Sequence, residues 1–206
     1  MQSVDPQSAW LPEDRELLVV AAHPDDEVLG AGGLIHAWTA RGAKVTVLSV
    51  SDGEAADPKR HDLANVRRGE LKDALRKLCS THVSVVRLGL PDGKLASYLN
   101  RLRNALMSLA HADVTIIAPY ECDGHPDHAA VGNVCIEVAR SLGIPIARYA
   151  VGAWHEAGTA TLRGARWGKF ALSDDARRAK ARAVQCFSSQ VELPRGFERP
   201  YEAFLL

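Results

Sequence analysis

Five short apolar runs, at residues 17–22, 44–50, 83–88, 114–118 and 144–151, recur along this chain with helix-like stretches between them. That alternation leaves few folds open. The runs are rich in branched residues and read as strands buried on both faces. Between them, 27–41 carries a helical pattern closed by Gly42, and 59–79 places Leu71, Leu75 and Leu78 at helical spacing. Residues 95–110 and 128–142, the latter closed by Gly143, complete the series. Strand and helix in alternation imply parallel strands joined by right-handed crossovers, with helices on both faces of one sheet. The expected fold is α/β, a Rossmann-like three-layer sandwich with a mainly parallel sheet. Chemistry in such a fold belongs in the loops beyond the carboxyl ends of the strands.

A chain of 206 residues suits one core, so a single domain is expected over 1–206, with 1–16 as an amino-terminal extension. Residues 152–206 are less regular. Gly158, Gly164 and Gly168, followed by an Ala-Arg-rich helix over 174–187, suggest a small cap or edge segment. The extension mixes Asp5, Glu13, Asp14 and Arg15 with prolines and lacks the apolar stretch of a secretory signal, which points to the cytoplasm. The run at 17–22 falls far short of the roughly 20 residues that cross a bilayer. Acidic and basic side chains number 25 each, so no overall field favours nucleic acid or an anionic membrane. A small-molecule partner is expected; homo-oligomer formation is left open. Cys79, Cys122, Cys135 and Cys186 lie far apart, with no C-x-x-C pair, and read as reduced thiols.

The chemistry-bearing residues sit in two clusters. His23-Pro24-Asp25-Asp26-Glu27 directly follows the first predicted strand, and Asp123-Gly124-His125-Pro126-Asp127-His128 follows the fourth. Carboxylates this close repel one another unless a cation or hydrogen-bond donors offset them. First and fourth strands of a parallel sheet can be neighbours, which would bring the clusters together. Two imidazoles and a carboxylate suit Zn2+ or Fe2+ with coordination positions left open. His23, Asp26 and His128 are therefore assigned to a metal.

The two motifs resemble those of the PIG-L/LmbE family of zinc-dependent N-deacetylases, in the same order and over most of the chain, roughly 17–190. The resemblance implies metal ligation by His23, Asp26 and His128 and a general base at Asp25. His125 would stabilise an oxyanion or act as an acid, and Asp127 would orient a histidine. It also implies that Glu54, Arg67 and Asp92, in loops and a helix after the second and third strands, line a substrate site. Ser188-Ser189-Gln190 resembles a further family feature. The implied reaction removes an acyl group, acetyl in the family, from the nitrogen of an amino sugar of GlcNAc type by metal-activated water. An amidase acting on a non-sugar conjugate and a silent metal- or sugar-binding module are the alternatives.

Blander readings apply elsewhere. His36, His61, His82 and His111 read as structural, while His155 beside Trp154 can reach a pocket mouth. Gly30-Ala31-Gly32-Gly33 has the wrong spacing for a dinucleotide fingerprint and reads as close helix packing. Arg177, Arg178, Lys180 and Arg182 read as a solvated helix face. Capping alone accounts for one carboxylate per helix start, but not for two imidazoles at the same end of the sheet.

Overall fold

The computed structural model describes residues 16–79, 81, 83–151, 167–190 and 201–206. In chain order the elements are β1 (Glu16–Ala21), α1 (Asp26–Ala40), β2 (Val45–Ser51), α2 (Leu63–Leu78), β3 (Ser84–Leu90) and α3 (Leu99–Leu109). There follow β4 (Val114–Pro119), α4 (Pro126–Leu142), β5 (Ile146–Tyr149), β6 (Trp167–Ala171), α5 (Asp174–Val184) and β7 (Tyr201–Leu205). The strands form one sheet in the order β3-β2-β1-β4-β5-β7-β6. The pairs among β1 to β5 are parallel; β7 runs antiparallel to both β5 and β6.

Three layers result. One face of the sheet packs Leu17, Val19 and Val47 against α1, α2 and α5 through Leu34, Trp38, Leu71, Leu75 and Ala183. The other packs Leu18, Val20, Leu48 and Ile116 against α3 and α4 through Leu102, Leu106, Val131 and Cys135. Apart from Glu16 and Thr115, β1 and β4 are apolar, as their central place between both layers requires. β3 departs from the expected two-sided burial: it is the edge strand, and most of its residues are partly or fully exposed.

The helix boundaries also move for local reasons. α2 begins at Leu63, not at 59, because Asp57 accepts from the Lys59 and Arg60 amides and holds the preceding residues in tight turns. Residues Leu95–Tyr98 form a 3-10 turn ahead of α3. Glu16 already pairs with Val114, so it belongs to the sheet; the rest of the amino-terminal extension lies outside the described residues. The described parts of 152–206 supply an antiparallel edge and a layer helix; His155 lies outside them.

α1 is broken at Ala31, whose φ of −138° is not helical. Broken helices expose backbone N–H and C=O groups that need partners. Glu202 of β7 accepts from the Gly33 and Leu34 amides at 2.7 and 2.9 Å, and Lys180 of α5 donates to the Leu29 carbonyl at 2.8 Å. The two side chains pair with each other at 2.6 Å. Lys180 is thus buried and structural, unlike its exposed neighbours Arg177, Arg178 and Arg182. A Cβ at Gly30 or Gly33 would overlap Tyr149 or Leu172, so the glycine run serves close packing. His36 is structural as expected, bonding the Leu78 carbonyl at 2.7 Å and Asp175 at 3.2 Å. All four cysteines are free.

Candidate metal centre

β1 and β4 are adjacent, and the chain leaves them toward opposite sides of the sheet: β1 leads to α1, and β4 to α4. Such a switch point opens a crevice at the carboxyl ends of the strands. The loops that edge it here carry the two acidic, histidine-bearing clusters.

The first loop is a tight turn locked by its own side chain, because Asp26 accepts from the His23 backbone N–H at 2.9 Å. The same Asp26 oxygen lies 3.5 Å from His23 Nδ1 and 3.2 Å from His128 Nε2. His128 comes from the first turn of α4, which begins with Pro126 and has His125 as its cap. The remaining nitrogens of both rings face carboxylates. His23 Nε2 is 3.0 Å from Asp92 and 3.3 Å from Asp127, and His128 Nδ1 is 2.6 Å from Asp123. A ring nitrogen that donates to a carboxylate leaves the opposite nitrogen deprotonated and more basic, which is how histidines are oriented toward metals.

His125 is held differently. The Asp127 backbone N–H donates to His125 Nδ1 at 3.2 Å, so that nitrogen keeps its lone pair and the neutral ring carries its proton on Nε2. The ring stands 4.8 Å from that of His23 and 5.0 Å from that of His128, centre to centre. Two groupings bring every pair of ligand atoms close, and neither contains Asp26. One is His23 with His125 and His128; the other is His23 with Asp92 and Asp127, the atoms of each lying within 4.8 Å of one another. In the first, His125 has its lone pair turned to a backbone donor. In the second, the acids already share His23 Nε2, and Asp127 also accepts from the Gly93 and Leu95 amides. His23 Nδ1 and His128 Nε2, each on a ring whose other nitrogen meets a carboxylate, both face Asp26 Oδ2, which also accepts from the His23 amide.

Electrostatics agree with a missing positive charge. Burial works against a charged His23, yet Asp127, Asp26 and Asp92 outweigh it and push its pKa up to about 12. Burial is likewise overcome at His128 by Asp26 and Asp123, which push it up to about 10. Burial and the charge of Asp26 raise Asp25 well above the carboxylate range, and burial with Asp25 does the same for Glu27. The carboxylates around His23 and His128 favour positive charge there, which a divalent ion would supply in place of the ring protons. The donor set fits such an ion.

A cleft of about 390 Å3 lies over the cluster, lined by Asp25, Arg67, Asp92, His125 and Gln190 among others. Arg67 is 6% exposed, and its Nε has no partner. Its guanidinium lies over Gly53, where φ is 68° and a Cβ would collide with it. Asp92 is engaged at both oxygens, to His23 and to the Ala55 amide at 2.9 Å, and its own amide donates to Glu54 at 3.0 Å. All nine residues named from the sequence meet at this cleft or in direct contact with its walls. The sequence reading missed Asp123 as the partner of His128. Its signal was an acid five residues ahead of the proposed ligand, in the same loop.

The fold is a Rossmann-like sandwich whose switch point carries paired histidines and acids. The PIG-L family, described as GlcNAc-PI de-N-acetylase, matches residues 18–139, more than half of the chain. This chain belongs to that family. It is 28% identical over 213 residues to a 1D-myo-inositol 2-acetamido-2-deoxy-alpha-D-glucopyranoside deacetylase of Streptomyces avermitilis, with 79% of this chain and 72% of the relative covered. It covers only 53% and 60% of two further such deacetylases, from Catenulispora acidiphila and Tsukamurella paurometabola. Among solved structures, the N,N'-diacetylchitobiose deacetylase of Pyrococcus horikoshii superposes with a TM-score of 0.68 at 20% identity, covering 92% of this chain and 82% of that one. The fold alone does not select this chemistry. A 4-carboxy-2-hydroxymuconate hydratase of Pseudomonas putida also superposes, with a TM-score of 0.62 at 19% identity, covering 85% of this chain and 80% of the other.

Proposed function

We propose that this protein is a metal-dependent N-deacetylase acting on an amino sugar of GlcNAc type. The observation that carries the reading is the convergence of His23 Nδ1 and His128 Nε2 on one Asp26 oxygen, with Asp25 lining the cleft beside them. His23, Asp26 and His128 would hold the ion, and both Zn2+ and Fe2+ suit two imidazoles and a carboxylate. When bound, the ion supplies a Lewis acid that polarises the carbonyl and acidifies water.

The chain's own groups do the rest. Asp25 takes the proton of the attacking water, and that proton is then at hand for the amine nitrogen as the C–N bond breaks. His125, with its proton on Nε2, donates to the carbonyl oxygen as negative charge grows there. Arg67, which lines the cleft, supplies guanidinium donors to the acceptors of the sugar, and Asp92, held through its amide by Glu54, forms part of the wall. Asp127 and Asp123 act through the histidines they orient.

The test is acetate release, measured together with metal content, from N-acetylglucosamine, N,N'-diacetylchitobiose, a GlcNAc glycoside and a non-sugar N-acetyl amide. The account expects one divalent ion per chain and acetate from at least one sugar. Acetate from the non-sugar amide alone would shift the assignment to an amidase. Stoichiometric metal with no release from any N-acetyl compound would leave a binding module.

A further inference from the structure

Asp25 carries the one non-glycine positive φ among the described residues, 119°, a backbone state that L side chains rarely adopt. A residue held there persists only when its surroundings over-determine it. On its carboxyl side the restraint is plain, since the Asp25 carbonyl accepts from the Val28 and Leu29 amides at 2.9 and 2.8 Å as α1 starts. On its amino side, the plane that φ turns against is the Pro24–Asp25 peptide. The N–H of that plane is Asp25's own and donates to Glu27 Oε2 at 3.3 Å, which leaves the Pro24 carbonyl to be held.

The anchor for that carbonyl comes from a residue distant in sequence. Gln190 Nε2 donates to the Pro24 carbonyl at 2.7 Å. Gln190 is itself fixed by a clamp: Glu70 of α2 accepts from Ser188 Oγ at 2.9 Å, the Ser189 amide at 2.7 Å and Ser189 Oγ at 2.7 Å. The Gln190 amide also closes a turn on the Phe187 carbonyl at 3.1 Å. Glu70 is 8% exposed and makes these bonds in place of the ion pair its burial would otherwise call for.

We infer that Gln190, held by the Glu70–Ser188–Ser189 clamp, is a positioning residue that pins the Pro24 carbonyl and keeps Asp25 in the strained conformation that turns its carboxyl group into the cleft. The inference rests on the assignment of Asp25 as base, but the hinge itself can be tested without any substrate.

The first measurement is a thermal double-mutant cycle of Gln190→Ala and Asp25→Gly. Glycine adopts positive φ freely, so the restraint has nothing to hold in that background. Gln190→Ala is expected to lower the melting temperature of the wild-type protein by more than it lowers that of Asp25→Gly. Equal losses in both backgrounds would overturn the inference, whatever the enzyme's substrate. Gln190→Glu, which keeps the shape but removes the donor, is the second variant and should repeat the pattern.

On an accepted N-acetyl substrate, Gln190→Ala should lower kcat by about 10- to 100-fold, the scale on which a misplaced catalytic group costs rate. KM should move little, and metal content not at all. In an Asp25→Ala background the same change should cost nothing further, because the group it positions is gone. A full additional loss there, or a loss confined to KM, would make Gln190 a substrate contact instead.

Discussion

Among the described residues, two buried ionic clusters are built on opposite terms. At the break in α1, Glu202 accepts from Gly33, Leu34 and Lys180, and Lys180 also donates to the Leu29 carbonyl. Each charge there answers a backbone need. At the crevice between β1 and β4, carboxylates outnumber cations, two imidazoles are driven to hold protons, and the buried atoms Glu27 Oε1, Glu54 Oε2 and Arg67 Nε have no partner. Buried polar groups are ordinarily satisfied, and a cluster that is not satisfied is arranged around something that binds. The α1 cluster is complete in the folded chain, whereas the crevice has the unbalanced charge that the proposed metal would meet.

The contrast can be broken most sharply at Asp26. Asp26→Ala is expected to lose the metal and all turnover, read by metal analysis and acetate release on one preparation. Asp25→Ala should keep stoichiometric metal while kcat falls by roughly a hundred- to ten-thousandfold, the usual contribution of a placed base. Full activity in that variant would dispose of the mechanism.

The α1 cluster should respond in stability instead. Lys180→Met leaves Glu202 buried without its cation and should cost about 3–5 kcal/mol in denaturant unfolding, with activity per folded molecule retained. A loss of activity in folded Lys180→Met protein would mean that the clusters are coupled. The smallest effect belongs to the partner of His128. Asp123→Asn should weaken metal binding by about 10- to 100-fold, measured by competition with a chelator, as loss of a ligand's orienting carboxylate does. An unchanged affinity would remove Asp123 from the site.

Much of this was legible in the chain, though unevenly. The parallel core showed itself because β1 and β4 are buried on both faces and therefore apolar but for Glu16 and Thr115. β3 was misread as interior, since Val85, Val86 and Leu88 look alike whether a strand is central or at the edge. The two clusters were visible because each is local, a few residues at one strand end. Asp123 opposite His128, Glu202 on α1 and Gln190 on Pro24 were not, because those contacts depend on where elements dock. Lys180 shows another kind of miss: it falls on the apolar stripe of Ala176, Ala179 and Ala183, but a lysine within a basic run reads as solvated until its partner Glu202 is seen.

The most direct measurement is an anomalous difference map at the zinc edge from crystals of the zinc-loaded protein. The account predicts a single peak about 2.0–2.2 Å from His23 Nδ1, an Asp26 oxygen and His128 Nε2. A peak on His23 Nε2 among Asp92 and Asp127, or one that takes His125 in place of Asp26, would contradict it.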